Sequence, residues 1–136
     1  MPRFVALALG ALFLVGCSSS VVATAPDRSL AALAPTVSVA EAAALRDDGA
    51  LIVDVRELDE WAAGHIPGAT LIPLGELPSR QGELARDQPI VVVCRSGNRS
   101  AEGRDILLAA GFEAVTSVQG GMTDWTTAGL PVETGG

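Results

Sequence analysis

Cys94 is followed by Arg95, Ser96, Gly97, Asn98 and Arg99, and a helical stretch opens at Ser100. A thiol in that setting is placed to become a thiolate. Unpaired N–H groups of a first helical turn form an anion site. The helix dipole favours negative charge at the same end, and two guanidinium groups flank the sulfur in sequence. Each effect favours thiolate over thiol, the direction that activates a cysteine as a nucleophile. Gly97 opens a backbone region closed to most residues and Asn98 tolerates it, so the loop is expected to curl tightly. A curled loop points successive N–H groups at one centre. The blander alternative is an inert, buried Cys with solvated arginines, but two Arg, a Gly and an Asn so close to it are not core composition.

Other residues invite chemistry. Asp54 and Arg56 stand at the end of an apolar run, where a carboxylate and a guanidinium either join a site or brace its loops. His65 is the only histidine. It offers a general base, but it lies in a turn before Ile66-Pro67-Gly68, where a structural role is the simpler reading. A lone Cys and a lone His make a poor zinc set, so no metal is expected. Trp61 and Trp125 read as packing residues, and Met122 as core.

The elements that must position the thiol alternate between strand and helix. Ser38 and Glu41 have the spacing of a capping box, opening a helix that stops near Gly49. Leu51 to Val55 is β-rich and continuously apolar up to Asp54, like a buried parallel strand. A short helix over Glu57 to Ala63 comes next, then a strand over Ala69 to Ile72. Leu74 to Ala85 reads as a helix interrupted by Pro78 and Gly82. Pro89 to Val93 is the strongest strand and Ser100 to Ala110 the strongest helix, ended by Gly111. Val115 to Val118 and Met122 to Ala128 close the series as a strand and a helix. Such alternation predicts an α/β domain with a mostly parallel sheet, whose ligands bind beyond the carboxyl ends of the strands. That rule directs attention to the loop after Val93.

These segments resemble the rhodanese-like sulfurtransferases. The Cys94 loop looks like their active-site loop. Ile52-Val53-Asp54-Val55-Arg56, Glu60-Trp61 and Gly64 to Ala69 are similar to their upstream signature. Gly120-Gly121-Met122, Trp125 and Ala128 to Val132 are similar to their closing one. The likeness runs from about Thr36 to Glu133. It implies a single domain around a five-stranded, mostly parallel sheet flanked by helices. It also implies that Cys94 is the nucleophile, taking sulfane sulfur as a persulfide from thiosulfate or a similar anionic donor and passing it to a thiol or cyanide. By the same resemblance, Arg95, Ser96, Gly97, Asn98, Arg99 and Ser100 surround the substrate or persulfide. Asp54 and Arg56 support the site mainly as a brace, and no cofactor takes part.

The chain has 136 residues, enough for one domain and an N-terminal extension. Met1-Pro2-Arg3 is a short positive start, and Phe4 to Gly16 is an unbroken apolar run. That run is too short for a bilayer span, which takes about 20 residues, and fits a secretory signal. It ends at Cys17, before three serines, and resembles a bacterial lipoprotein signal. The expected organisation is therefore a signal peptide over 1–16, a lipidated Cys17 with a flexible tether over 17–35, and the domain over 36–136. Such a protein faces the periplasm from a lipid anchor, in the outer membrane if the cell is Gram-negative. The alternatives are a soluble exported protein cut after Ala25, a cut that Pro26 disfavours, and a buried N-terminal helix.

The net charge of −7 excludes nucleic acid as a natural partner, since phosphate must be neutralised by basic residues. No protein partner is identifiable from the sequence. Two further functions stay open: a sulfur carrier or sulfide and redox sensor working through Cys94, and a phosphatase or arsenate reductase of the same fold. The second resembles a pattern with five residues between Cys and Arg, whereas only four separate Cys94 from Arg99.

Overall fold

The structure, a computed structural model, describes residues 30–136; the expected signal peptide and the lipidated Cys17 lie outside the described residues. Strands β1 (Thr36–Val37), β2 (Leu51–Asp54), β3 (Thr70–Leu71), β4 (Ile90–Val93) and β5 (Val115–Val118) form one sheet in the order β1-β5-β4-β2-β3. Every strand pairing is parallel, with Asp54 opposite Val93 and Val92 opposite both Val53 and Ser117. The helices are α1 (Val39–Asp47), α2 (Leu58–Ala63), α3 (Leu77–Arg80), α4 (Asn98–Ala109) and α5 (Gly121–Thr127).

Strand alternation divides the core into two layers. Val53, Val55, Ile90, Val92 and Cys94 pack on one face with Leu77 of α3 and Leu107 of α4. Ile52, Val91, Val93 and Val118 pack on the other with Ala42 of α1 and Met122 and Trp125 of α5. All four residues of β4 are fully buried. Cys94 therefore leaves the central strand on the α4 side. The chain passes from β2 outward to β3 but from β4 outward to β5, in opposite directions across the sheet. The carboxyl ends of β2 and β4 are thus the switch point at which a crevice opens in such sheets.

Four elements differ most from the sequence expectation, and several others shift by one residue. β1 is a two-residue edge strand between Pro35 and the helix cap Ser38, too short to show a period. The helix read over Leu74 to Ala85 reduces to α3 and a 3-10 turn over Gln81–Glu83, because Pro78 suits only a first turn and Gly82 loosens the next one. The strand read over Ala69 to Ile72 is only the two residues of β3. Helix α4 starts at Asn98, two residues earlier than expected; its N-cap is Gly97 in the left-handed region at φ 113°. Asn98 is accordingly a helical residue and not a second left-handed one.

Candidate active site

Cys94 follows the last residue of β4 and is only 1% exposed. The Gly97 N–H donates to its Sγ at 3.1 Å, and the Ser100 hydroxyl lies 3.5 Å from it. Burial pushes the Cys94 thiol up, but hydrogen bonding outweighs it. The Ser100 hydroxyl and the backbone N–H groups of Ser100, Gly97 and Ser96 bring the thiol below its ordinary value. The curled loop thus acts as the sequence suggests, through its amides. Arg99 interacts with the Cys94 charge through space, without a hydrogen bond to the sulfur.

The backbone behind the loop explains why the amides face the sulfur. Met122 N–H donates to Cys94 O at 2.8 Å, and Thr123 N–H and Oγ1 donate to Arg95 O at 3.1 and 3.0 Å. The first turn of α5 thereby holds two loop carbonyls away from the thiol and satisfies them. This needs Gly121. A Cβ there would overlap Cys94 O and the Arg95 carbonyl, and φ is +53°. On the other side, Ser100 Oγ donates to Gly97 O at 3.0 Å, closing the turn that begins α4.

Asp54 and Arg56 form a buried, forked ion pair: Arg56 Nε reaches Asp54 Oδ1 at 3.0 Å and Nη2 reaches Oδ2 at 2.7 Å. Arg56 Nη2 also donates to Gly64 O at 2.8 Å. The pair thus ties the end of β2 to the loop after α2. Arg99 is not aimed at the sulfur: its guanidinium makes two 2.8 Å bonds to Glu60. Those bonds, and the Glu57 N–H, hold the Glu60 carboxyl at about 2. Arg99, expected to border the substrate, thus shares its guanidinium with a carboxylate. Arg95, by contrast, is exposed and carries no side-chain bond among the described residues.

A cleft of about 270 Å³ borders the loop, with Arg56, Glu60, Arg95, Met122, Thr123 and Val132 in its wall. His65 stays out of it. Its ring stacks on Trp61 at 3.5 Å, Nδ1 meets Trp61 O at 3.0 Å, and Nε2 meets Glu133 Oε1 at 3.1 Å. Together with the His65–Glu133 bridge, these contacts fasten the C-terminal segment whose Val132 walls the cleft. Trp125 is fully buried and donates to Pro131 O at 2.9 Å. Met122 is both core and cleft wall. No group of three potential metal ligands occurs among the described residues.

Sequence reasoning missed two groups. The helix-start argument gives Ser100 no more than a backbone N–H, although its hydroxyl, six residues after Cys94 and within the first turn of α4, was visible in the sequence. Glu60 carried no signal beyond its place in the upstream signature, because its partner Arg99 is 39 residues away.

Comparison with known proteins agrees with this architecture. A family model described as "Rhodanese-like domain" matches residues 38–128. The putative sulfur carrier protein YrkF of Bacillus subtilis is 42% identical over 80 residues, covering 59% of this chain and 43% of that protein. The thiosulfate sulfurtransferase GlpE of Pseudomonas entomophila is 38% identical over 98 residues, covering 72% of this chain and 89% of GlpE. Among solved structures, a rhodanese-related protein from Thermoplasma volcanium superposes with a TM-score of 0.68 at 31% identity, covering 74% of this chain and 98% of its own.

Proposed function

The chain belongs to the rhodanese-like domain family, and we propose that it is a sulfurtransferase that carries sulfane sulfur on Cys94. The single observation that carries this reading is the thiol at the carboxyl end of β4, ringed by the Gly97 amide and the Ser100 hydroxyl and lowered below its ordinary value. A site of this kind stabilises sulfur-centred negative charge before and after transfer.

The Cys94 thiolate attacks the outer sulfur of a small anionic donor such as thiosulfate. A bond forms between the two sulfurs, the donor's own S–S bond breaks, and its electron pair leaves with sulfite. The loop amides then face a persulfide. An acceptor thiolate or cyanide attacks the outer sulfur, the Cys94–sulfur bond breaks, and its pair returns to Cys94 as thiolate. The acceptor leaves as a persulfide or as thiocyanate. The covalent intermediate divides the transfer into two displacements. Arg95, unpaired among the described residues, attracts the donor, while Ser96 and Gly97 contribute amides. Asp54 and Arg56 hold the neighbouring loop in place.

The relative YrkF, described as a putative sulfur carrier, favours a second reading in which Cys94 holds sulfur for a partner without rapid turnover. Thiocyanate formation from cyanide separates the two. Many turnovers per thiol, lost in Cys94→Ser, support the enzyme; a single turnover supports the carrier. No sulfur uptake from any sulfane donor contradicts both. The phosphatase reading has less support, since Arg99 is already occupied by Glu60. Export and lipid anchoring at Cys17 are part of the proposal and rest on the N-terminal residue pattern alone.

A further inference from the structure

The charges around the cleft are more closely balanced than the number of arginines suggests. Arg56 is committed to Asp54 and Gly64 O. The Thr123 and Thr126 hydroxyls are spent on backbone carbonyls of Arg95, Met122 and Thr123. Arg99 is committed to Glu60 through both terminal nitrogens, and it is Glu60, not Arg99, that faces the cleft. That leaves Arg95 as the unpaired cation of the wall among the described residues. The chain around it carries a net charge of −7, which opposes multiply charged anions at longer range.

We infer that Glu60 is a specificity-determining residue: it neutralises Arg99 and places its own carboxylate on the cleft, so that the site favours singly charged sulfane-sulfur donors over doubly charged ones. The inference rests on the sulfurtransferase reading and adds the charge class of the substrate to it. Thiosulfate is the doubly charged probe, and methanethiosulfonate the singly charged one. Each gives up its outer sulfur to the Cys94 thiolate as its S–S bond breaks, with the electron pair leaving on sulfite or on methanesulfinate. The intrinsic reactivities of the donors differ, so the informative quantity is how their rate ratio changes between variants.

Glu60→Gln removes the charge. It keeps an oxygen for the Glu57 N–H, which now donates to Glu60 at 3.0 Å, so the start of α2 retains its cap. In the full chain carrying Cys17→Ser, the thiosulfate to methanethiosulfonate ratio of second-order rates for persulfide formation is followed by intact mass. Glu60→Gln should raise it about three- to tenfold, the order of a unit-charge interaction across a solvated cleft. Glu60→Asp should leave it within about twofold, because the charge stays. Arg99→Met, which leaves Glu60 unneutralised on the cleft, should lower it, so a poorly folded Glu60 variant does not end the test. Raising the salt concentration should shrink all these differences. An unchanged ratio in both charge variants, or an equal loss for both donors, overturns the inference while the sulfurtransferase reading stands. If neither donor forms a persulfide, that reading fails instead. The charge claim is then read from alkylation of Cys94 by iodoacetate relative to iodoacetamide: a rise in Glu60→Gln supports it, and no change overturns it.

Discussion

A thiol placed inside a protein ordinarily resists ionisation, because burial disfavours the charged form. Cys94 overcomes this through donors, chief among them the Ser100 hydroxyl. That hydroxyl has one hydrogen and two acceptors within reach, Gly97 O and the sulfur. When the thiol ionises, donation to sulfur becomes the stronger of the two bonds. Ser100→Ala should therefore slow iodoacetamide alkylation of Cys94 at pH 7 about fivefold, the worth of one ordinary hydrogen bond, and move the alkylation midpoint to higher pH. An unchanged pH profile would remove Ser100 from the account. Glu60 makes a second prediction. Its carboxyl falls from 4.5 to about 2 on folding. A depressed carboxyl contributes stability above its unfolded value, and that contribution is lost as pH falls from about 4.5 to about 2. Urea midpoints measured across that range should fall less steeply in Glu60→Gln than in the parent chain. The nucleophile was legible in the sequence because its effects are local: a strand end, a glycine and a helix start lie within seven residues. The destination of Arg99 was not legible, because an ion pair over 39 residues leaves no trace in spacing.

At the scale of elements, the loop's shape is imposed from behind by α5. Two carbonyls must turn toward the first turn of that helix for the amides to turn toward sulfur. Gly121 is the residue that lets the two backbones meet. Gly121→Ala should cost about 2–3 kcal/mol in urea unfolding, from a left-handed φ together with backbone overlap. It should also slow Cys94 alkylation more than a Gly68→Ala control. Gly68 likewise has a positive φ, but open space around its missing Cβ. Equal effects of the two would mean that α5 does not set the loop. The closing Gly-Gly-Met motif was visible in the sequence as a signature, but not as a clamp. Continuous β-rich apolar runs identified β2 and β4, and the stretch closed by Gly111 identified α4, since each is long enough to stand out from its flanks. β1 and β3 are two residues each, and only their pairing to β5 and β2 defines them.

The chain as a whole is acidic, with a net charge of −7, and Arg95 stands on the cleft without an ion pair among the described residues. Attraction of donors to Arg95 works against the surrounding field, so sulfur uptake from thiosulfate should quicken with moderate salt as that field is screened, and slow when the local attraction is screened too. Residues 30–35 carry no helix or strand, yet Pro35 O already accepts from the Ser117 N–H at 3.1 Å and from Arg104 at 2.9 Å. Leu30 N–H also donates to Glu113 Oε2 at 3.1 Å, so contacts with the domain begin ahead of the expected boundary at Thr36. The proposed anchor predicts that a labelled fatty acid enters the chain expressed in a bacterium and does not enter Cys17→Ser. The central claim concerns a single sulfur atom, and intact mass reads it directly. The chain carrying Cys17→Ser, in which Cys94 is the sole thiol, is incubated with thiosulfate and then with methanethiosulfonate. A species one sulfur heavier, discharged by cyanide or a small thiol and absent when Cys94 is replaced by Ser, is the predicted result. A mass that stays unchanged with both donors while Cys94 remains alkylatable would contradict it.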